Sequence, residues 1–318
     1  MKYDFVHDLL GASAALSAAA DSGLLEAITH RSATVDEYAA ALGLDARAAA
    51  RVLDVLWGLG LAERSGARFE ASEALRDLDR TYPGGLSHAR MMAGHTNAFL
   101  RTGVPFLRMD AAPEARDVAY AAAVAFLGEF FSPAAEELAG KLEGSPERIL
   151  DVGAGSGVWS LAMASLGDAR VTGLDLPGVL PAFRARAEAL GLGDRVDTVV
   201  GDFHSVTPPP ATFDRVVLAN VLHLERPLRA EALIARMASA VRPGGEIVLV
   251  DAFPRGTREA DLPLAIYELG LAMRTAHGSV HARESLERWV GAAGFGATSF
   301  VPLAERPGTI GAIVVRAG

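Results

Sequence analysis

The chain is 318 residues long and half hydrophobic, enough for about two domains with sizeable cores. It carries 30 basic and 39 acidic residues for a net charge of −9, so no overall field favours nucleic acid or an anionic membrane. It has no cysteine, which excludes thiol catalysis, disulfides and cysteine-ligated metals together.

The first residues, "MKYDFVHDLLGASAALSAAADSG", lack a basic start followed by an unbroken apolar core, and no apolar run approaches the ~18 residues of a membrane span. A cytoplasmic protein without membrane or nucleic-acid partners is expected. Lys2 and Lys141 are its only lysines, a bias that reads as a GC-rich bacterial genome and leaves little scope for lysine chemistry. "VDEYAAALGL" (35–44) and "DARAAARVLDVLWGLGL" (45–61) repeat apolar residues at helical spacing, with Gly43 closing the first helix. "LAERSGARFEAS" follows as two short extended pieces around Ser65-Gly66, a wing. Helix-turn-helix plus wing is a winged-helix arrangement. DNA binding is disfavoured, because residues 1–80 carry 8 basic against 13 acidic side chains and the second helix offers only Arg47 and Arg51. The expected role is helical packing or dimerisation.

Residues 86–145 read as mostly helical, with breaks around Pro105, Pro113 and Pro133. From 148 onward strands alternate with helices: "RILDVG", "RVTGLDL", "RVDTVVGD", "FDRVVLAN", "GEIVLVDAF" and "GTIGAIVVRA" are the strands, and "RPGG" (242–245) is a turn. This alternation predicts a doubly wound, mostly parallel α/β sheet of Rossmann-like type.

The first of these strands runs into a glycine loop and then a helix, in "RILDVGAGSGVWSLA" (148–162). Gly153, Gly155 and Gly157 leave bare backbone for a ligand to approach, and a helix start favours an anionic group. The glycines run G-x-G-x-G, with Val158 where a dinucleotide fingerprint needs its last glycine. Asp175, ending the next strand, is placed to accept hydrogen bonds from a ribose diol. After the third strand, Asp202 suits an adenine amino group and Phe203 suits stacking on its ring. Taken singly these are an N-cap, a turn aspartate and a core phenylalanine. In order at successive strand C-termini, they point to an adenosine-containing cofactor.

The ordered set "LDVGAGSG…GLDLP…GDF…ANVLH…VRPGG…LVD" resembles the class-I S-adenosylmethionine-dependent methyltransferases. More narrowly, the chain is similar to small-molecule O-methyltransferases with an N-terminal winged-helix dimerisation domain. "SGLLEAI…TVDEYAAALGLDARAAARVLDVLWGLGLAER" matches that domain, and "LRTGVPF" (100–106) the linker after it. The resemblance implies a dimerisation domain over 1–90, a helical linker and acceptor-pocket lid over 91–145, and a catalytic domain over 146–318. It implies a homodimer whose N-terminal helix reaches the partner's acceptor pocket. Asp151, Gly153 and Gly155 would face the methionine part of the cofactor, Asp175 and Leu176 the ribose, and Asp202 and Phe203 the adenine. His223 falls on the general base and Asp251 on an acidic residue that orients it. Histidine chemistry fits a base here, because a phenol of reference pKa ~10 is a poor nucleophile at neutral pH, and an imidazole near ~6.5 can take its proton during attack.

Several positions depart from the family's pattern. His-Asp-Trp is commonly found where this chain has His223-Leu224-Glu225, and a basic residue four before the histidine is Ala219. A second orienting glutamate appears as Val280, beside His281. Acceptor-pocket positions fall on Met92, His95, Tyr120 and Val124, with His281 as a further candidate, so an unusual acceptor is expected. His204 reads as an incidental loop histidine. His277 and His281 could pair near the acceptor, but without a third ligand no metal site is expected. Carbon methylation, or another reaction on the same scaffold, is the near alternative. A ligand-sensing winged-helix regulator is the distant one, lacking a basic recognition helix. A nicotinamide dehydrogenase is disfavoured by Val158 and by the want of a Tyr-x-x-x-Lys set.

Overall fold

The computed structural model describes residues 3–81, 95–96, 98–106, 113–254, 262–304 and 309–317. Its contacts divide the chain into two units, 1–101 and 102–318, where the sequence suggested boundaries near 90 and 145.

The first unit opens with helices α1 (Tyr3–Asp21) and α2 (Leu24–His30). Strand β1 (Ala33–Thr34) leads into α3 (Val35–Leu42), whose start is a reciprocal cap between Thr34 and Glu37. Helix α4 (Ala46–Gly58) is capped by Asp45, and the hairpin β2 (Ala62–Ser65) and β3 (Arg68–Ala71) forms the wing ahead of α5 (Glu73–Thr81). Tyr38 is fully buried among Leu24, Leu25, Ile28, Leu53 and Leu56, and its hydroxyl meets the Phe69 carbonyl at 2.9 Å. Burying each such side chain stabilises the unit by about 1.5–3 kcal/mol. Arg51, one of the two candidate DNA contacts, instead pairs with Asp54 along its own helix.

The second unit begins with α6 (Pro113–Lys141). The break expected at Pro133 does not occur, and the helix runs through it. An internal proline costs about 3 kcal/mol. Phe131, Ala134, Ala135 and Leu138 are all buried on this stretch, and only a continuous helix keeps that face in the core.

Seven strands form one sheet: β4 (Arg148–Val152), β5 (Arg170–Asp175), β6 (Val196–Val200), β7 (Phe213–Ala219), β8 (Val241–Ala252), β9 (Phe295–Pro302) and β10 (Ile310–Ala317). Their order is β6-β5-β4-β7-β8-β10-β9. β4 to β8 are parallel, and β10 runs antiparallel to both β8 and β9. Helices α7 (Val158–Ala164), α8 (Leu180–Ala189), α9 (Pro227–Ala238), α10 (Leu262–Ala272) and α11 (Arg283–Ala292) accompany them. The strand order reverses between β4 and β7, so the crevice for a ligand opens at their carboxyl ends. β9 was not among the expected strands, and "RPGG" lies inside β8 at a register shift against β7 instead of preceding the strand.

Candidate active site

On one side of the crevice the backbone does the positioning. Gly153 has φ +68°, a region that side-chain-bearing residues rarely adopt, and a Cβ there would stand 2.7 Å from Val221 Cγ2. Gly157 likewise has φ +72° and would drive a Cβ to 2.6 Å from the buried Phe183 ring. Gly153 and Ala154 donate to the Leu174 carbonyl, and Gly155 N–H donates to Asp175 Oδ2 at 2.8 Å. Asp175 Oδ1 accepts from Leu176 N–H at 2.7 Å. Both carboxylate oxygens are thus oriented by backbone N–H groups at the end of β5. Phe203 lies over the loop, its ring 3.5 Å from a Gly153 Cβ position. Asp202 Oδ1 accepts from His204 N–H.

Beneath the loop, Asp151 is buried and takes the Ser160 hydroxyl. Burial pushes its carboxyl up to about 7; the Ser160 bond pulls it back down and the Asp175 charge adds to the rise. The carboxyl ends of β4, β5 and β6 and the loops after them thus hold Asp151, Asp175 and Asp202 and neither lysine nor arginine. That set of acidic acceptors suits an adenosine bearing cationic groups, such as a sulfonium and an ammonium. It suits a pyrophosphate poorly.

Across the crevice, side chains do the work. Asn220, directly after β7, sits at φ +55°, and a short 3-10 turn (Leu222–Leu224) presents His223. His223 Nδ1 lies 2.7 Å from Asp251 Oδ1 at the end of β8, and both residues are buried. A carboxylate only accepts, so Nδ1 carries the ring proton and Nε2 keeps its lone pair, as a base requires. Asp251 Oδ1 also accepts from Ala252 N–H, while the buried Oδ2 has no hydrogen-bond partner among the described residues.

The turn itself is pinned from a distant segment. Ser279 N–H donates to the His223 carbonyl, and His281 Nε2 lies 2.9 Å from the Leu222 carbonyl with its ring edge-on to Trp289. His277 stands against Arg226 instead of pairing with His281. His204, expected to be incidental, places Nε2 2.8 Å from Glu225 Oε1. Burial alone would raise the Glu225 carboxyl, but His204 and Arg229 outweigh it and hold it below its usual value. No short-range signal marks this pair, because its members come from different loops.

Of the acceptor positions, Met92 and the Tyr120 side chain lie outside the described residues. His95 is half-buried in the first unit. Val124 on α6 is buried with Leu176 and Val179, 3.2 Å from a Gly155 Cβ position, and so lies at the glycine loop.

Residues 149–245 match the family described as a methyltransferase domain. The chain is 31% identical over 309 residues to the tetracenomycin polyketide synthesis 8-O-methyl transferase TcmO of Streptomyces glaucescens, covering 89% of this chain and 87% of that one. It belongs to the S-adenosylmethionine-dependent O-methyltransferases. A 3-hydroxy-5-methyl-1-naphthoate 3-O-methyltransferase of Streptomyces sahachiroi is 26% identical over 277 residues, covering 82% of this chain and 79% of that one. In fold, the methyltransferase superposes on human N-acetylserotonin methyltransferase in complex with S-adenosylmethionine with a TM-score of 0.72 at 21% identity, covering 99% and 97% of the two chains. S-adenosylmethionine is its cofactor.

Proposed function

We propose that this methyltransferase transfers a methyl group to a hydroxyl of a small aromatic, polyketide-like molecule, with His223 as general base. The relatives named for tetracenomycin and naphthoate methylation support that acceptor class. The observation that carries the base assignment is the buried His223–Asp251 pair beside the glycine loop. The cofactor, when bound, supplies an electrophilic methyl on a good leaving group, so the chain mainly has to align the acceptor and take its proton. Asp151, Gly153 and Gly155 are assigned to the methionine end, Asp175 and Leu176 to the ribose, and Asp202 and Phe203 to the adenine. His223 Nε2 receives the acceptor's hydroxyl proton as the oxygen attacks. Asp251 keeps Nδ1 protonated and stabilises the imidazolium formed. Tyr120 and Val124 on α6 are assigned to the acceptor side, and His281 acts there through the turn it holds.

The test is turnover of His223→Ala on a dihydroxynaphthoate, beside calorimetry with S-adenosylhomocysteine. Turnover is expected to fall about 10²–10⁴-fold with cofactor affinity nearly intact, because a base acts mainly in the transition state. Near-full activity would overturn the assignment and favour attack by an already activated carbon or phenolate.

The reading includes a homodimer through residues 1–90. In the first unit Leu9, Val55, Trp57 and Leu59 all expose large apolar side chains, with Trp57 at 52% of its surface. Large apolar side chains exposed on α1 and around α4 support an interaction face in this unit. Light scattering at micromolar concentration is expected to return twice the 33.2 kDa chain mass, and a monomer mass would contradict this.

A further inference from the structure

Tyr267, on α10, presents its hydroxyl oxygen 3.3 Å from His223 Nδ1, the same nitrogen that donates to Asp251. The two rings meet edge to face, 5.6 Å apart between centroids at 82°. The phenol oxygen is itself fixed. Asn220 Nδ2 donates to it at 3.3 Å, and Asn220 Oδ1 takes the Trp159 indole N–H at 3.1 Å. Indole is donor-only, so it fixes which way the Asn220 amide points and leaves the amide N–H for Tyr267. Trp159 is the second residue of α7, directly after the glycine loop. A chain of side chains therefore runs from the cofactor loop to the imidazole through Asn220 and Tyr267. Val280, standing where a second orienting carboxylate was expected, can take no part in holding the ring.

We propose that Tyr267 is a positioning residue for the methyl-transfer base: its hydroxyl oxygen shares the Nδ1 proton of His223 with Asp251 and so fixes the ring plane that aims Nε2. One carboxylate contact leaves an imidazole free to swing about the line joining Nδ1 to the carboxylate oxygen. A second acceptor off that line removes the freedom, and the edge-to-face ring contact adds to the restraint. The proposal rests on the reading of His223 as base, and the experiment keeps the two apart.

Tyr267→Phe keeps the ring and removes only the hydroxyl. In ¹⁵N-labelled protein the Nδ1 proton of His223 is followed by NMR, assigned by its loss in His223→Ala. The substitution is expected to shift that resonance and speed its exchange with water about fivefold. On a dihydroxynaphthoate it is expected to lower kcat about fivefold to tenfold, the scale of one lost hydrogen bond, with KM for cofactor and acceptor within about twofold. In the His223→Ala background the same change is expected to do nothing further. An unchanged resonance and exchange rate overturn the proposal. So does a rise in acceptor KM with kcat intact, which would make Tyr267 an acceptor contact. Failure of the base reading appears separately, as full turnover by His223→Ala, and the NMR comparison still decides whether Tyr267 fixes the ring.

Discussion

The two sides of the crevice are built on different principles. The cofactor side, at the ends of β4, β5 and β6, is held by backbone: positive-φ glycines and N–H groups on Asp175. The base side, at the ends of β7 and β8, is held by side chains from segments 28 to 59 residues apart in sequence. Backbone constrains what shape can bind and tolerates few changes. A side-chain relay sets how one group is aimed, and each member can change alone. This division suits an enzyme that uses one cofactor with an acceptor that differs between relatives.

Substitutions on the two sides should therefore fail differently. The largest effect is expected from His223→Ala, whose loss falls on turnover and spares cofactor affinity. Asp175→Ala is its mirror: S-adenosylhomocysteine binding is expected to weaken by roughly 1.5–3 kcal/mol, as for lost hydrogen bonds to a charged group, with kcat at saturating cofactor changed little. Calorimetry and saturating turnover on the same preparation check this, and a kcat loss as large as that of His223→Ala would erase the contrast between the sides. The smallest effect is expected at Asp151. Its folded-state pKa of about 7 lies above the unfolded value of 3.8, so the native state holds a proton that the unfolded state releases. Its contribution to stability is therefore best at low pH, declines as pH rises from about 4, and is fully lost above about 7. Asp151→Asn is expected to stabilise the cofactor-free protein at pH 8 by about 1–2 kcal/mol, with the gain gone near pH 4. Thermal melts at the two pH values measure it, and an equal shift at both would show that Asp151 does not ionise on this schedule.

How much was legible in the sequence follows the same division. The glycine loop, Asp175, Asp202 and Phe203 were readable because each sits at a fixed offset from a strand end, and strand ends are marked by apolar runs. His223 and Asp251 were readable as positions through family resemblance, but their contact needed β7 and β8 side by side. Tyr267, the His281 hold on Leu222 and the His204–Glu225 pair were not readable, since each joins loops or helices whose approach only the fold decides. β9 was missed because "FGATSFVP" mixes glycine and small polar residues on an edge strand with several exposed positions, so no apolar alternation marks it. Pro133 misled for the opposite reason: a local breaker was overruled by the burial of its neighbours.

Strand β8 runs between β7 and β10, and Asp251 lies opposite Gly311 of β10, one residue past the last β7 pair at Val250. Tyr267 rides on a helix whose Ile266 and Leu269 face solvent. Local opening free energies rise with such backbone pairing and burial, so the amides around Asp251 are expected to exchange more slowly than those of α10. The aspartate is thus tied to the sheet, while the tyrosine is tied to one partly exposed helix. The imidazole between them has one fixed tether and one adjustable one.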